Sequence, residues 1–134
     1  MIFFDTSAWI ALTVGEDSNA TAARRFYAAV ARGEHGAVVT TNFVLDEAAT
    51  HIRMVGDVDA AAKFLRAILE GSSTVLVWID ASHFRAALEL FERNEDKRWS
   101  YTDCTSFVVM QALGIGNAFS FDRNFEQAGF VRLP

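Results

Sequence analysis

Met1-Ile2-Phe3-Phe4-Asp5-Thr6-Ser7-Ala8-Trp9 runs from apolar residues straight into a carboxylate and two hydroxyls. A short, uninterrupted apolar run bounded by helix-starting residues is the pattern of a strand buried on both faces, as in a parallel sheet. Asp5 ends that run. In open α/β sheets, ligands bind beyond the carboxyl ends of the strands, so Asp5 stands where acids from other loops can meet it. The competing reading is local: Asp is a favoured N-cap, and Asp5 would then only start the next helix.

Outward from this segment, strand and helix patterns alternate. Thr6 to Val14 reads as a short helix ended near Gly15, and Ser18 or Asn19 can cap a second helix through about Arg32, with Phe26, Tyr27 and Val30 inward. Ala37 to Thr41 is a β-branched run that predicts the second strand. Asn42 can cap a helix that closes at Gly56, with Phe43, Glu47 and Thr50 at helical spacing, and Asp57 restarts a helix that closes at Gly71. Thr74 to Ile79 reads as the clearest buried strand after the first, and Asp80 or Ser82 begins a helix through Arg93.

A charged loop, Asn94 to Ser100, leads into a helix predicted to start near Thr102 or Asp103 and to end at Gly114. Ala118 to Phe121 predicts a fourth strand ended by Asp122; Arg123 to Ala128 supplies one or two helical turns, and Phe130 to Leu133 an edge strand. With no linker or repeat, residues 1–134 read as a single α/β domain with a mostly parallel sheet and right-handed crossovers.

Composition narrows the functional classes. A chain of 134 residues fits one domain burying roughly two-thirds of its unfolded surface. Hydrophobic residues make up 51% of it, with twelve Phe, which excludes a disordered chain. No apolar run approaches the roughly eighteen residues that a membrane span needs, and the N-terminus lacks a signal-peptide pattern, so a cytoplasmic location away from membranes is expected. Cys104 is the single cysteine, so internal disulfides are excluded, and the three scattered His residues give no zinc spacing. A net charge of −5 argues against indiscriminate nucleic-acid binding, but it is compatible with an acidic site that works on nucleic acid through metal ions.

Four acids share a structural address. Asp5 and Asp122 each end an apolar strand, Glu47 lies in the second turn of the helix after the second strand, and Asp103 lies in the first turn of its helix. All four can reach one end of the sheet. Carboxylates packed together repel, and some take up protons unless a cation neutralises them. Oxygen-only ligands favour Mg²⁺ or Mn²⁺, and such ions can generate a hydroxide nucleophile and stabilise the leaving oxygen in phosphodiester hydrolysis.

Asp5-Thr6-Ser7, Thr41 to Glu47, Ser100-Tyr101-Thr102-Asp103-Cys104-Thr105-Ser106-Phe107, and Ser120-Phe121-Asp122-Arg123-Asn124-Phe125 with Gly129-Phe130 resemble, in this order, the motifs of PIN-domain ribonucleases. The resemblance runs the length of the chain. It implies a three-layer α/β/α fold in which Asp5, Glu47, Asp103 and Asp122 hold Mg²⁺ or Mn²⁺ and catalyse RNA cleavage to a 5′-phosphate and a 3′-hydroxyl. Stand-alone domains of this size resemble the toxins of VapBC toxin–antitoxin pairs, which implies a small VapB-like antitoxin and a homodimer. Two positions depart from the pattern: Ser120 stands where Thr is commoner but keeps the hydroxyl, and Asn124 stands where His is often seen. Of the neighbours Asp46 and Glu47, Glu47 fits the motif and reaches further; Asp46 points about 100° away on the same helix.

Other residues carry two readings each. Thr6 and Ser7 can orient Asp5 or a metal-bound water, or simply begin a helix. Ser106, one turn after Asp103, can support the site or bond to its own backbone, and the resemblance favours support. Asn42 is first a helix cap, though its amide can also touch the acids. His51 reads as a surface or packing residue and Cys104 as a small core residue. Arg123, Lys97 and Arg98 can contact RNA phosphates, with Trp99 as a stacking surface, although most such runs are solvated loops. The helices from Asn42 to Leu69 are rich in apolar residues, which serves either the core or a groove for a partner helix. Two other functions remain beside the toxin: a PIN nuclease of RNA processing, and a PIN module that binds RNA or protein without cutting. A phospho-accepting enzyme with Asp5 as nucleophile is weaker, since the haloacid-dehalogenase pattern needs an Asp where Ser7 stands.

Overall fold

β1 (Ile2–Phe4) lies at the centre of the sheet in the computed structural model, which describes residues 1–134. The chain continues through α1 (Thr6–Thr13), α2 (Ala20–Ala31), β2 (Val38–Thr41), α3 (Asn42–Val55), α4 (Val58–Glu70) and β3 (Thr74–Val77). It then forms α5 (Ala81–Arg93), α6 (Tyr101–Leu113), β4 (Asn117–Phe119), α7 (Asn124–Gln127) and β5 (Val131–Leu133). The five strands are ordered β3-β2-β1-β4-β5, and every pairing is parallel. Phe3 pairs with Val39 on one side and Ala118 on the other.

The chain steps from β1 through β2 to β3 in one direction, then returns past β1 to β4 and β5. Right-handed crossovers therefore put α1–α4 over one face and α5–α7 over the other, the three-layer α/β/α arrangement that the resemblance implies. Packing follows that division: α1 meets α2 and α3, α3 meets α4, α5 meets α6, and α6 meets α7, while α3 and α6 touch across the divide. The reversal of strand order falls between β1 and β4, and such a switch point opens a crevice at the carboxyl ends of the strands.

Period-two alternation sends Phe3 and Phe4 to opposite faces. Phe4 packs against Trp9 and Phe119 with ring centroids 4.8 Å away, and Phe3 lies 6.3 Å from Phe125. Phe125 in turn meets Phe107 edge-on at 5.0 Å. Both faces of β1 are thus filled with aromatic rings, which fixes the level of Asp5. Trp9 Nε1 donates to Thr40 Oγ1 at 3.1 Å, and Thr40 Oγ1 donates to the Phe4 carbonyl at 2.9 Å, so α1, β1 and β2 are tied by buried polar groups that are mutually satisfied. Gly36 has φ +73°, and a Cβ there would lie 3.0 Å from the Met1 nitrogen, so only glycine lets the chain turn so close to the start of β1.

Three elements differ from the expectations. β3 is an edge strand that ends at Val77, not a buried one that runs to Ile79: Val75 is 51% exposed, and Trp78, just past the strand's end, 63%. An apolar β-branched run signals extended backbone without fixing its rank in the sheet. β4 spans Asn117–Phe119, not Ala118–Phe121, because the Phe121 N–H leaves the ladder to donate to Ser7 Oγ at 2.9 Å. α6 starts at Tyr101 because Ser100 caps it, its Oγ accepting from Asp103 N at 2.9 Å.

Candidate active site

Asp5 is both the helix cap and the strand-end acid that its position allowed. Its Oδ2 accepts from the Ser7 N–H at 3.4 Å, from Ser7 Oγ at 2.8 Å and from Ser120 Oγ at 2.8 Å. Ser7 and Ser120 therefore join the end of β1 to the end of β4. Ser120 Oγ also accepts from Asp122 N at 3.0 Å, which links the next acid to the same hydroxyl. Both serines hold the Asp5 carboxylate by hydrogen bonds. With Asp5 4% exposed and Ser120 fully buried, the pair is a fixed feature of the rim.

Asp103 arrives from α6. Ser100 and Asp103 form a reciprocal capping box, the Ser100 N–H donating back to Asp103 Oδ2 at 3.0 Å. The spacing Ser-x-x-Asp at a helix start is a local signal for this geometry, and it places the third residue's carboxylate at the amino end of the helix. Asn124 completes the group. Its Nδ2 donates to Asp103 Oδ2 at 3.0 Å and to Asp122 Oδ2 at 3.3 Å, and its backbone N–H donates to Asp122 Oδ1 at 2.8 Å. Sequence reasoning noted Asn124 only as a departure from a pattern; the amide's two donors beside two acids were the available signal.

Glu47 is exposed on the second turn of α3, and its charge reaches Asp103. Asp46, its neighbour, lines the groove between α3 and α4 with Arg53 and Leu65. Other expectations are corrected. Asn42 neither caps nor touches the acids: Thr41 caps α3, while Asn42 Oδ1 accepts from Ile79 N at 2.6 Å and fastens the end of β3. Ser106 spends its hydroxyl on the Thr102 carbonyl at 3.0 Å, the backbone bond that a mid-helix serine commonly makes. Trp99 offers no stacking surface; it is buried against Phe107, with its Nε1 donating to Gln127 at 3.2 Å. Lys97 lies 3.5 Å from Asp96, and Arg98 and Arg123 are exposed.

Burial lifts Asp5 from its ordinary 3.8 to about 6; the Ser7 and Ser120 hydroxyls oppose that rise, and the charge of Asp103 adds to it. Asp103 is also raised, first by burial, against the Ser100 N–H and the Asn124 amide, with the charges of Asp122 and Glu47 adding. The charge of Asp103 thus acts on Asp5, and those of Asp122 and Glu47 act on Asp103, across α3, α6 and the ends of β1 and β4. Burial, with Asp103 nearby, pushes the Cys104 thiol up to about 11, so it stays protonated and serves as core.

The donor set suits a hard divalent cation. It is oxygen-only, and Asp5 and Asp103 each receive their hydrogen bonds on Oδ2. Thr6, next to Asp5, has a buried hydroxyl with no hydrogen-bond partner. No three His, Cys, Asp or Glu side chains converge closely enough to hold one ion alone. Mg²⁺ is commonly held by one or two carboxylates, with waters and substrate phosphates completing its shell, so the residues fit a hydrated ion better than an all-protein cage.

A parallel α/β/α sandwich that gathers Asp5, Asp103 and Asp122 at its switch point, with the charge of Glu47 reaching Asp103 from α3, has the form of a PIN-type domain. The PIN domain family profile matches residues 2–131. The chain is 37% identical over 135 residues to the 23S rRNA-specific endonuclease VapC20 of Mycobacterium tuberculosis, covering 99% of this chain and 98% of that protein. It is 34% identical over 94 residues to a VapC ribonuclease of Archaeoglobus fulgidus, covering 69% of this chain and 58% of that one. The crystal structure of Mycobacterium tuberculosis VapC20, described as a Sarcin-Ricin loop cleaving toxin, matches with a TM-score of 0.90 at 33% identity over 98% of this chain and 97% of that one. This chain belongs to the PIN-domain family and, within it, to the VapC type.

Proposed function

We propose that this chain is a Mg²⁺- or Mn²⁺-dependent endoribonuclease, the toxin of a VapBC-type pair, acting in the cytoplasm. The observation that carries the reading is the gathering of two buried carboxylates, Asp5 and Asp103, at the switch point of a PIN fold, where the charge of Asp103 adds to burial in holding the proton on Asp5. Such a pair is costly unless a cation joins it. Asp5 and Asp103 would hold the ion, with Asp122 and Glu47 completing the acidic wall. When bound, the ion supplies a water of lowered pKa and stabilises the charge that develops on the leaving oxygen. Ser7 and Ser120 keep Asp5 in place, so the carboxylate need not reorganise as the substrate arrives. Arg123, beside Asp122, and Arg98 and Lys97, in the loop before α6, would meet phosphates outside the acidic wall.

The relative's named substrate makes 23S rRNA in ribosomes the first substrate to try. Purified protein is incubated with ribosomes and with a mixed-structure RNA in Mn²⁺, Mg²⁺ or EDTA, beside Asp103→Asn. Metal-dependent cutting that leaves 5′-phosphate ends and disappears in the variant is expected. Equal cutting by the variant, or cutting in EDTA, would overturn the assignment. Failure to cut by antitoxin-free protein on a whole cellular RNA pool would favour the module that binds without cleaving.

The antitoxin and the homodimer follow from the VapC resemblance and find support in the exposed apolar surface. Leu45, Leu65, Leu69, Leu76 and Trp78 line a groove of about 310 Å³ by α3, α4 and β3. Phe84, Leu88 and Phe91 form a half-exposed stripe on α5. The helices α3 and α4 thus serve the core and also leave apolar surface uncovered. Co-expression with the neighbouring reading frame, followed by mass determination in solution, should give a complex larger than one chain; a monomer with no co-purifying protein would overturn both.

A further inference from the structure

All three N–H donors of Asn124 point at acids: the backbone N–H at Asp122 Oδ1, and the two amide hydrogens at Asp103 Oδ2 and Asp122 Oδ2. An ionised carboxylate only accepts, so the side chain must present its NH₂ group here; the opposite orientation would face oxygen against oxygen. Asn124 is the first residue of the four-residue α7, and its side chain is not needed to cap that turn. A start residue of a short helix has no other reason to place both amide hydrogens between carboxylates from two separate elements.

Two carboxylates at this spacing repel, and something must offset the repulsion when no cation is present. A neutral amide can do so without adding charge, by dipole and hydrogen bond. Resting on the metal-nuclease reading above, we propose that Asn124 is the positioning residue of the acid site. Its amide sets the spacing of Asp103 and Asp122 and stands in for the cation between them while the site is empty. Because the amide binds Oδ2 of Asp103, it fixes that carboxylate's rotation while the other oxygen stays outside the hydrogen bond. The same contact keeps Asp122 tied to α7 and, through its N–H on Ser120, to Asp5. One side chain thereby couples three of the four acids.

The test uses two substitutions that keep the branch at the γ-carbon. Asn124→Leu removes both donors. Asn124→Asp replaces the donors with a further negative charge. Thermal stability of the antitoxin-free chain is followed in EDTA and across a Mn²⁺ titration, and Mn²⁺ binding is measured by calorimetry. Asn124→Leu should melt at lower temperature than wild type in EDTA and bind Mn²⁺ at least fivefold more weakly. Asn124→Asp should melt lower still in EDTA, and Mn²⁺ should raise its melting temperature by more than it raises that of wild type, since the ion then offsets an extra charge. Wild-type Mn²⁺ affinity and an unchanged Mn²⁺-induced stabilisation in both variants would overturn the role of Asn124 while leaving the nuclease reading intact. A wild-type chain that binds no Mn²⁺ would overturn the two together. If Asn124→Leu fails to fold, the Mn²⁺ response of Asn124→Asp decides alone.

Discussion

On the β1–β4 side of the sheet's carboxyl rim, Asp5, Asp103 and Asp122 are held by Ser7, Ser100, Ser120 and Asn124 in one connected set of hydrogen bonds. On the β2–β3 side the polar groups do structural work instead: Thr41 caps α3, Asn42 fastens the backbone after β3, and Glu47 projects from α3 into solvent. Both sides lie at the same end of the same sheet. Strand order separates them: the crevice opens where the chain reverses direction, so buried carboxylates collect there, while the other side closes like an ordinary α/β edge. The acids should accordingly divide into a rigid set of three, with Asp5 and Asp103 as its buried pair, and an adaptable arm, Glu47.

The largest effect expected is on cleavage. Asp5→Asn and Asp103→Asn should each lower the rate by more than about 100-fold, beyond what loss of an outer-shell partner of a metal site produces. Circular dichroism should show the fold intact. Glu47→Gln should also lower cleavage, yet leave metal-free stability within about 0.5 kcal/mol of wild type, as for exposed side chains generally. A large stability change in Glu47→Gln would erase the distinction between buried pair and exposed arm.

A pH series sharpens the same contrast. Asp5 holds its proton more tightly in the folded chain, with a value of about 6 against an ordinary 3.8. Its contribution to stability is therefore complete below about pH 4 and is lost as the pH rises through 6. The full difference is about 3 kcal/mol for a fully realised shift of this size. Asp5→Asn does not titrate. In EDTA, the variant should gain stability relative to wild type by about that amount between pH 4 and 7, and Mn²⁺ should shrink the gap by binding wild type. Urea unfolding at several pH values measures it; a gap that does not change with pH would mean that Asp5 is not buried as described.

Much of this was legible because the signals were local. The apolar run Ile2–Phe4 ending at Asp5 gave both the central strand and the acid, since a strand buried on both faces needs no alternation and a charge at its end stands out. Gly114, with φ +66°, ended α6 where expected. Other features are properties of pairing and escaped a linear reading. The apolar residues of β3 look the same at an edge or a centre, and only the strand order made them an edge. Asn42 and Asn124 are the same residue type at the first position of a helix, yet one reaches the backbone after β3 and the other the acids, a difference set by elements far away in sequence. Ser106 matched the family motif and still turned to its own helix, donating to the Thr102 carbonyl one turn back, the bond that a mid-helix serine commonly makes.

Ser120→Ala tests the link across the switch point. It removes a donor to buried Asp5 and an acceptor for the Asp122 N–H, so it should destabilise the chain by about 1–3 kcal/mol and raise the pH at which Asp5 ionises. Ser120→Thr should keep both. A Ser120→Ala chain as stable as wild type, with an unshifted pH profile, would mean that the two halves of the rim are joined elsewhere.

Asn42→Ala is the counterpart on the other side, and its effect should be the smallest. The substitution leaves the Ile79 N–H, at a half-buried position, without the acceptor now 2.6 Å away, at a cost of about 1 kcal/mol in urea unfolding. Because Asn42 touches none of the acids, Mn²⁺ affinity and the cleavage rate should stay at wild-type values when both are measured well below the melting temperature. Loss of cleavage in a folded Asn42→Ala chain would show that the anchoring of β3 is transmitted through α3 to Glu47. The β2–β3 side would then be part of the catalytic frame, not its support.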